Sequence, residues 1–130
     1  MKKILSLCRP DWRTHKEAFF LLGLILVVFV LRFPSLFEPD WYGDEGIYQV
    51  VGRAIREGRL LYQGIWDNKP PILYLLYALV NGDLFSIKLI SMVAAILAVA
   101  IFFYLGKSLF KKKTSVYMAT LIFSVLLALP

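Results

Sequence analysis

Three long apolar runs constrain this chain more than any other feature of its sequence. They cover residues 18–37, 84–109 and 115–130, and 59% of the 130 residues are hydrophobic. Soluble domains are typically about 45–50% apolar. A helix of about 20 residues rises roughly 30 Å, which matches the hydrocarbon core of a bilayer. The runs therefore predict an all-α integral membrane protein whose three spans lie at about these positions.

The polar interval between the first two runs, residues 38–83, carries seven of the nine acidic residues and is broken by glycines and prolines. We expect a loop that bears short helices. An amphipathic pattern predicts one helix that begins near Asp44, where the Asp44 side chain could cap it, and stops at Gly58. Its expected apolar stripe consists of Ile47, Val50, Val51, Ala54 and Ile55.

A second short apolar stretch, residues 72–80, follows Pro70-Pro71 and closes at Asn81-Gly82-Asp83. A proline pair suits a helix start. The stretch is too short to span a bilayer, so we expect an interfacial or re-entrant helix, with Tyr74 and Tyr77 in the headgroup zone.

Basic residues cluster at the N terminus and again at Lys111-Lys112-Lys113. The positive-inside rule assigns both clusters to the cytoplasm, with two spans between them. This predicts a multi-pass cell-membrane protein with a cytoplasmic N terminus and an extracytoplasmic loop 38–83. The net charge of +6 comes from basic residues at the chain ends and beside the apolar runs. Basic and aromatic residues do not alternate along one face, which argues against a nucleic-acid-binding protein. Because Cys8 and His15 each stand alone, no intrachain disulfide or cysteine-rich zinc cluster is expected.

Two charged groups in the loop have both a structural and a functional interpretation. Asp44-Glu45 fits a solvated first helical turn, but Asp44 could also act as a general base toward an acceptor hydroxyl. Lys69 fits an interfacial anchor, but could also hold a lipid-linked phosphate. Tyr48, one turn after Asp44, and Trp41 or Tyr42 could stack on a sugar. The arginines of the predicted helix and its end are weaker phosphate candidates: Arg53, Arg56 and Arg59.

Four segments in order resemble the amino-terminal part of the polytopic, lipid-phosphate-sugar-dependent glycosyltransferases. This family includes protein mannosyltransferases and the aminoarabinose transferase that modifies lipid A. The segments are Leu31-Arg32-Phe33-Pro34, Trp41-Tyr42-Gly43-Asp44-Glu45-Gly46-Ile47-Tyr48, Gly58-Arg59-Leu60-Leu61-Tyr62 and Asp67-Asn68-Lys69-Pro70-Pro71.

The resemblance implies Asp44 as the catalytic base, and Glu45, Tyr48 and Lys69 as substrate-binding residues. The implied substrates are a polyprenyl-phosphate-linked sugar and an extracytoplasmic acceptor lipid, glycan or protein. We expect inversion at the anomeric carbon, because a single base that assists direct displacement gives that outcome. The aminoarabinose transferase has a metal-binding glutamate where this chain has Asn68, so no metal is expected there, and no other cofactor is implied.

Family members run to several hundred residues, so we interpret residues 1–130 as an incomplete N-terminal module of such an enzyme. Two alternatives stay open. One is a non-catalytic transporter or flippase fragment, although Arg32, Lys88 and Lys107 all lie near the ends of the apolar runs. The other is a small structural membrane subunit that works at this length.

Overall fold

The computed structural model describes residues 13–39 and 43–129, apart from the side chains of residues 13 and 14. Within these ranges the chain is helical, with no β-strand. The α-helices are α1 (Arg13–Arg32), α2 (Gly43–Arg56), α3 (Pro71–Leu79), α4 (Leu84–Leu109) and α5 (Lys113–Ala128), and a 3-10 turn spans Pro34–Phe37. The all-α prediction is therefore confirmed for the described part of the chain.

Two helical segments are long and apolar enough to cross a membrane. They are His15–Phe37 and Leu84–Leu109, with hydropathies of 2.4 and 2.5. Only 17% and 28% of the most apolar 18-residue stretch of each segment is buried, whereas the core helix of a soluble protein is mostly buried. The helix α5 is also apolar, but its 16 residues extend only about 24 Å.

The first helix ends earlier than the sequence predicts. The expected helix covered residues 18–37, but α1 ends at Arg32 and the chain continues through a turn into the 3-10 segment. Pro34 has no N–H to donate, so the α-helical hydrogen-bond ladder cannot continue through it. The hydroxyl of Ser35 donates a 2.7 Å hydrogen bond to the carbonyl of Arg32 and so satisfies part of the helix end.

One compact unit comprises the described parts of Met1–Leu31 and Ala95–Pro130. Its core contains Leu24, Val28 and Val99, all nearly or fully buried. On α5, Thr120 and Ser124 are also buried, and each hydroxyl donates to the carbonyl four residues earlier, at 2.8 and 2.7 Å. The buried hydroxyls are thus satisfied within their own helix.

The second compact unit is Arg32–Ala94, and the pairing of α2 with α3 dominates it. Left-handed backbone ends both helices: Gly58 has φ +90° after α2, and Asn81 and Gly82 have φ +57° and +67° after α3. Both stops were predicted from the glycines. Asp83 then accepts a 2.8 Å hydrogen bond from the backbone N–H of Ser86, which caps α4. Hydrogen bonding from the Ser86 side chain, and after it from the Ser86 backbone, lowers the pKa of the Asp83 carboxyl.

The packed face of α2 differs from the apolar stripe expected from its sequence. Of the residues in that stripe, Val51 and Ala54 are buried, whereas Ile47 and Val50 are 48% and 60% exposed. Gly52 packs against α3 instead, where an added Cβ would lie 2.7 Å from the backbone carbonyl carbon of Tyr77. The absence of a side chain at Gly52 lets the backbones approach, and this contact, not the apolar stripe alone, sets the rotation of α2.

Candidate functional site

The interface between α2 and α3 positions the site through three tyrosine rings. The ring of Tyr48 on α2 meets Tyr74 and Tyr77 on α3 edge-on, with centroid distances of 6.0 and 5.7 Å. Tyr74 is fully buried and Tyr77 is 6% exposed. Both α3 tyrosines therefore pack against α2, and their expected place in the headgroup zone stays a prediction.

Asp44 lies inside the first turn of α2, which begins at Gly43, so it does not occupy the capping position expected for it. One turn later, the Tyr48 hydroxyl donates a 3.1 Å hydrogen bond to Asp44 Oδ2. Side chains four residues apart on a helix lie on the same face, which explains this contact. The hydrogen bond holds the carboxylate in a defined orientation at the edge of the α2–α3 interface.

The structure brings Lys69 to the same carboxylate oxygen. Its Nζ lies 3.9 Å from Asp44 Oδ2, and the two side chains are 43% and 39% exposed. An ion pair this long and this exposed contributes about 0–1 kcal/mol to stability. Both contacts that described residues make with the Asp44 carboxylate fall on Oδ2. Oδ1 has no hydrogen bond or ion pair with a described residue.

The backbone of Lys69 is fixed from two sides by tyrosine hydroxyls. Its N–H donates to the hydroxyl of Tyr74 at 3.0 Å, and its carbonyl accepts from the hydroxyl of Tyr62 at 2.6 Å. The Tyr74 hydroxyl in turn donates to Asp67 Oδ2 at 2.8 Å. Tyr62 has a left-handed φ of +67°, a conformation that costs a non-glycine residue free energy. The loop is therefore held in one shape that presents the Lys69 side chain toward Asp44.

Sequence reasoning missed Tyr62, Asp67 and Tyr74 as site-building residues. Tyr62 and Asp67 stood within the segments that carry the family resemblance, but no spacing rule connects them to Lys69. The contacts arise from the path of the loop, and a single sequence does not specify that path.

The two tyrosines that border the charged pair have perturbed acidity. Burial raises the pKa of the Tyr48 phenol, and its hydrogen bond to Asp44 raises the pKa further. Burial, followed by the hydrogen bond to Asp67, raises the pKa of Tyr74 to about 12. Both phenols therefore stay protonated near neutral pH and act as hydrogen-bond donors to carboxylates.

Glu45 is placed differently from its neighbour Asp44. Its Oε2 is shut off from solvent and has no hydrogen-bond partner among the described residues. Leaving a buried carboxylate oxygen without a donor is costly. A ligand hydroxyl is one group that could supply the missing donor.

The arginine side chains of α2 donate hydrogen bonds to carbonyls at the C-terminal end of α3. Arg53 Nε donates to the carbonyl of Asn81 and Arg56 Nη1 to that of Ala78, each at 3.4 Å. Cations near a helix C terminus satisfy its last carbonyls and its dipole. These side chains are exposed, as predicted, but they also connect the two helices. Trp41 and Tyr42, proposed to stack on a sugar, lie outside the described residues.

In the part of the chain that the structure describes, no three His, Cys, Asp or Glu residues lie together in a way that could hold a metal ion. The chain matches no family model, no curated protein and no solved structure.

Proposed function

We propose that this chain is part of a membrane glycosyltransferase that moves a sugar from a polyprenyl-phosphate donor to an acceptor outside the cytoplasm. The observation that carries the proposal is the convergence of Asp44, Tyr48 and Lys69 on one accessible point, where no described residue bonds to Asp44 Oδ1. A carboxylate beside a cation supplies the two charges that such a transfer needs. The resemblance of four ordered segments to lipid-phosphate-sugar-dependent transferases supports the same chemistry.

In the proposed reaction, the acceptor hydroxyl oxygen attacks the anomeric carbon while the bond from that carbon to the phosphate oxygen breaks. The hydroxyl proton passes to Asp44, and the bonding electron pair leaves with the polyprenyl phosphate. The hydrogen bond from Tyr48 holds Oδ2, so Oδ1 is the oxygen that takes the proton. A single displacement of this kind inverts the anomeric carbon, whereas retention usually needs a second, nucleophilic carboxylate.

Lys69 would release Asp44 when the donor binds. In a single displacement the base and the leaving phosphate lie on opposite sides of the anomeric carbon, so one ammonium cannot contact both. The ion pair is long and exposed, and its loss costs little. Lysine has a flexible stem, and we infer that Nζ moves from the carboxylate to the donor phosphate.

Membrane placement belongs to the same proposal. We infer that His15–Phe37 and Leu84–Leu109 span the cell membrane, because both are long and apolar enough to do so. The basic residues near the N terminus and at Lys111-Lys112-Lys113 favour the cytoplasmic side for both. The loop 38–83, with Asp44 and Lys69, would then face outward, where the sugar acceptor is a lipid, a glycan or a protein.

The test is a transfer assay on membranes that contain the protein as its gene encodes it. A radiolabelled polyprenyl-phosphate sugar and a radiolabelled nucleotide sugar are supplied in parallel, and matched membranes from a deletion strain serve as the control. We expect gene-dependent transfer of label from the lipid-linked donor. Equal incorporation with and without the gene, across a panel of lipid-linked sugars, would favour a transporter or a structural subunit.

A further inference from the structure

A basic cavity of about 180 Å³ lies within the first compact unit and shares no lining residue with the proposed transfer site. It is formed where α4 ends and α5 begins, together with Glu17 of α1. Three lysines line it, Lys107, Lys111 and Lys113, and its remaining walls include Phe103, Phe110 and Tyr117. The proposed transfer reaction uses none of these residues.

The charges around the cavity do not cancel. Glu17 is only 15% exposed and pairs with both Lys107 and Lys113, the latter at 3.2 Å. Lys107 also lies 5.7 Å from the centre of the Phe103 ring, which fixes its ammonium further. Lys111 is exposed and makes no ion pair with a described residue. Among the described residues that line the cavity, one carboxylate therefore faces three ammonium groups, which leaves a net positive charge.

The surface beside the cavity is apolar. Leu105 and Leu109 on α4 are 51% and 68% exposed, and Phe110 at the cavity itself is 44% exposed. A free inorganic anion would gain nothing from these side chains. A phospholipid would place its headgroup phosphate among the lysines and its acyl chains along the apolar surface.

We propose that this cavity binds the headgroup phosphate of an anionic phospholipid. The inference goes beyond the proposed transferase function, and it depends only on the placement of these helices in a membrane. Lys111 provides the unpaired charge, while the Glu17 pairs hold Lys107 and Lys113 at the rim. Bound lipid would join the end of α4 to the start of α5.

The experiment measures lipid binding to the purified full chain in detergent by native mass spectrometry. Phosphatidylglycerol is titrated into the wild type, Lys111→Gln and Lys112→Gln. The matched control is Lys112, which belongs to the same lysine triplet but does not line the cavity. Loss of one basic residue near an anionic lipid headgroup should raise the Kd for the lipid about fivefold.

We expect about that loss in Lys111→Gln, wild-type affinity in Lys112→Gln, and much weaker binding of phosphatidylcholine to all three proteins. Equal losses in the two variants would overturn the proposal, because they would mean that bulk charge attracts the lipid. Equal affinity for phosphatidylcholine would also overturn it. Competition by inorganic phosphate at the same concentration as the lipid would show that the cavity takes free phosphate, and would overturn the lipid assignment.

Discussion

The carboxylate of Asp44 owes its setting to one local and one distant contact. The local contact with Tyr48 follows from the four-residue spacing on a helix, and the sequence predicts that the two residues are one turn apart. The distant contact with Lys69 depends on how the loop between α2 and α3 folds back, and no periodicity in the sequence encodes it. The residues of the site were therefore predictable singly, while their convergence was not.

Lys69 should control donor affinity. If its ammonium holds the donor phosphate, Lys69→Gln removes a charge-assisted hydrogen bond, and the Kd for a polyprenyl-phosphate sugar should rise about 10- to 100-fold. The measurement is equilibrium binding to the full-length protein. Arg59→Gln is the comparison, since Arg59 is an exposed cation of the same loop and a weaker phosphate candidate, so its loss should raise the Kd less. An equal rise in Kd for both variants would mean that the overall positive charge of the loop attracts the donor, and that Lys69 makes no specific contact with its phosphate.

The Tyr74 phenol should lose its proton at a higher pH than an ordinary tyrosine. Because the fold raises its pKa to about 12, the phenol stays protonated beyond the ordinary value of about 10. A raised folded pKa means that the stabilisation is fully present below about pH 10 and is lost as the pH rises through 12. An absorbance titration of tyrosinate should show a late component that is absent from Tyr74→Phe. If the variant instead loses a component near pH 10, Tyr74 is not buried against Asp67.

At the scale of elements, the ends of the helices were more predictable than their faces. Pro70-Pro71 begins α3, Gly58 ends α2, and Asn81-Gly82 ends α3, as the local chemistry of these residues requires. The rotation of α2 was not predictable from its apolar stripe, because the close contact is made at Gly52, which has no side chain to mark a face.

Gly52 should tolerate no side chain. In Gly52→Ala the new Cβ would lie 2.7 Å from the Tyr77 carbonyl carbon and 2.8 Å from the N atom of Ala78, so backbone must move. Overpacking of this kind costs about 1–3 kcal/mol. In the same helix, Gly46→Ala is the control, with no described atom within 4 Å of its Cβ, and it should be neutral or stabilising by up to about 1 kcal/mol. Thermal unfolding followed by circular dichroism compares the two, and equal midpoints would contradict the close α2–α3 approach.

For the whole molecule, the length of the apolar runs was enough to predict the helices but not their arrangement. The helix α4 has the same bounds as the predicted run at residues 84–109. The helices α1 and α5 begin and end two to five residues earlier than the predicted runs at 18–37 and 115–130. Length and hydropathy make α4 and the segment His15–Phe37 candidates for crossing a membrane. The side on which each loop lies depends on charge bias, which is a property of the chain together with its membrane.

The proposed topology separates two exposed positions. Trp66, 74% exposed, lies in the loop that should face outward, and Lys112 lies in the loop that should face the cytoplasm. In a background without Cys8, a membrane-impermeant thiol reagent should label Trp66→Cys in intact cells and Lys112→Cys only after lysis. Labelling of Lys112→Cys in intact cells would reverse the orientation and place the acidic loop inside.

The central claim is that Asp44 takes the proton of the acceptor, and its most direct test is the turnover of Asp44→Asn. The amide keeps the size of the side chain and can still accept the Tyr48 hydrogen bond, but it is not a base. General base catalysis typically contributes about 10²- to 10⁴-fold in rate. In the full-length protein with saturating lipid-linked donor, we predict a fall in kcat of that size with donor Kd little changed, and wild-type kcat in the control Glu57→Gln, an exposed carboxylate beyond the end of α2. Near wild-type turnover in Asp44→Asn would show that the carboxylate is only part of a helical turn.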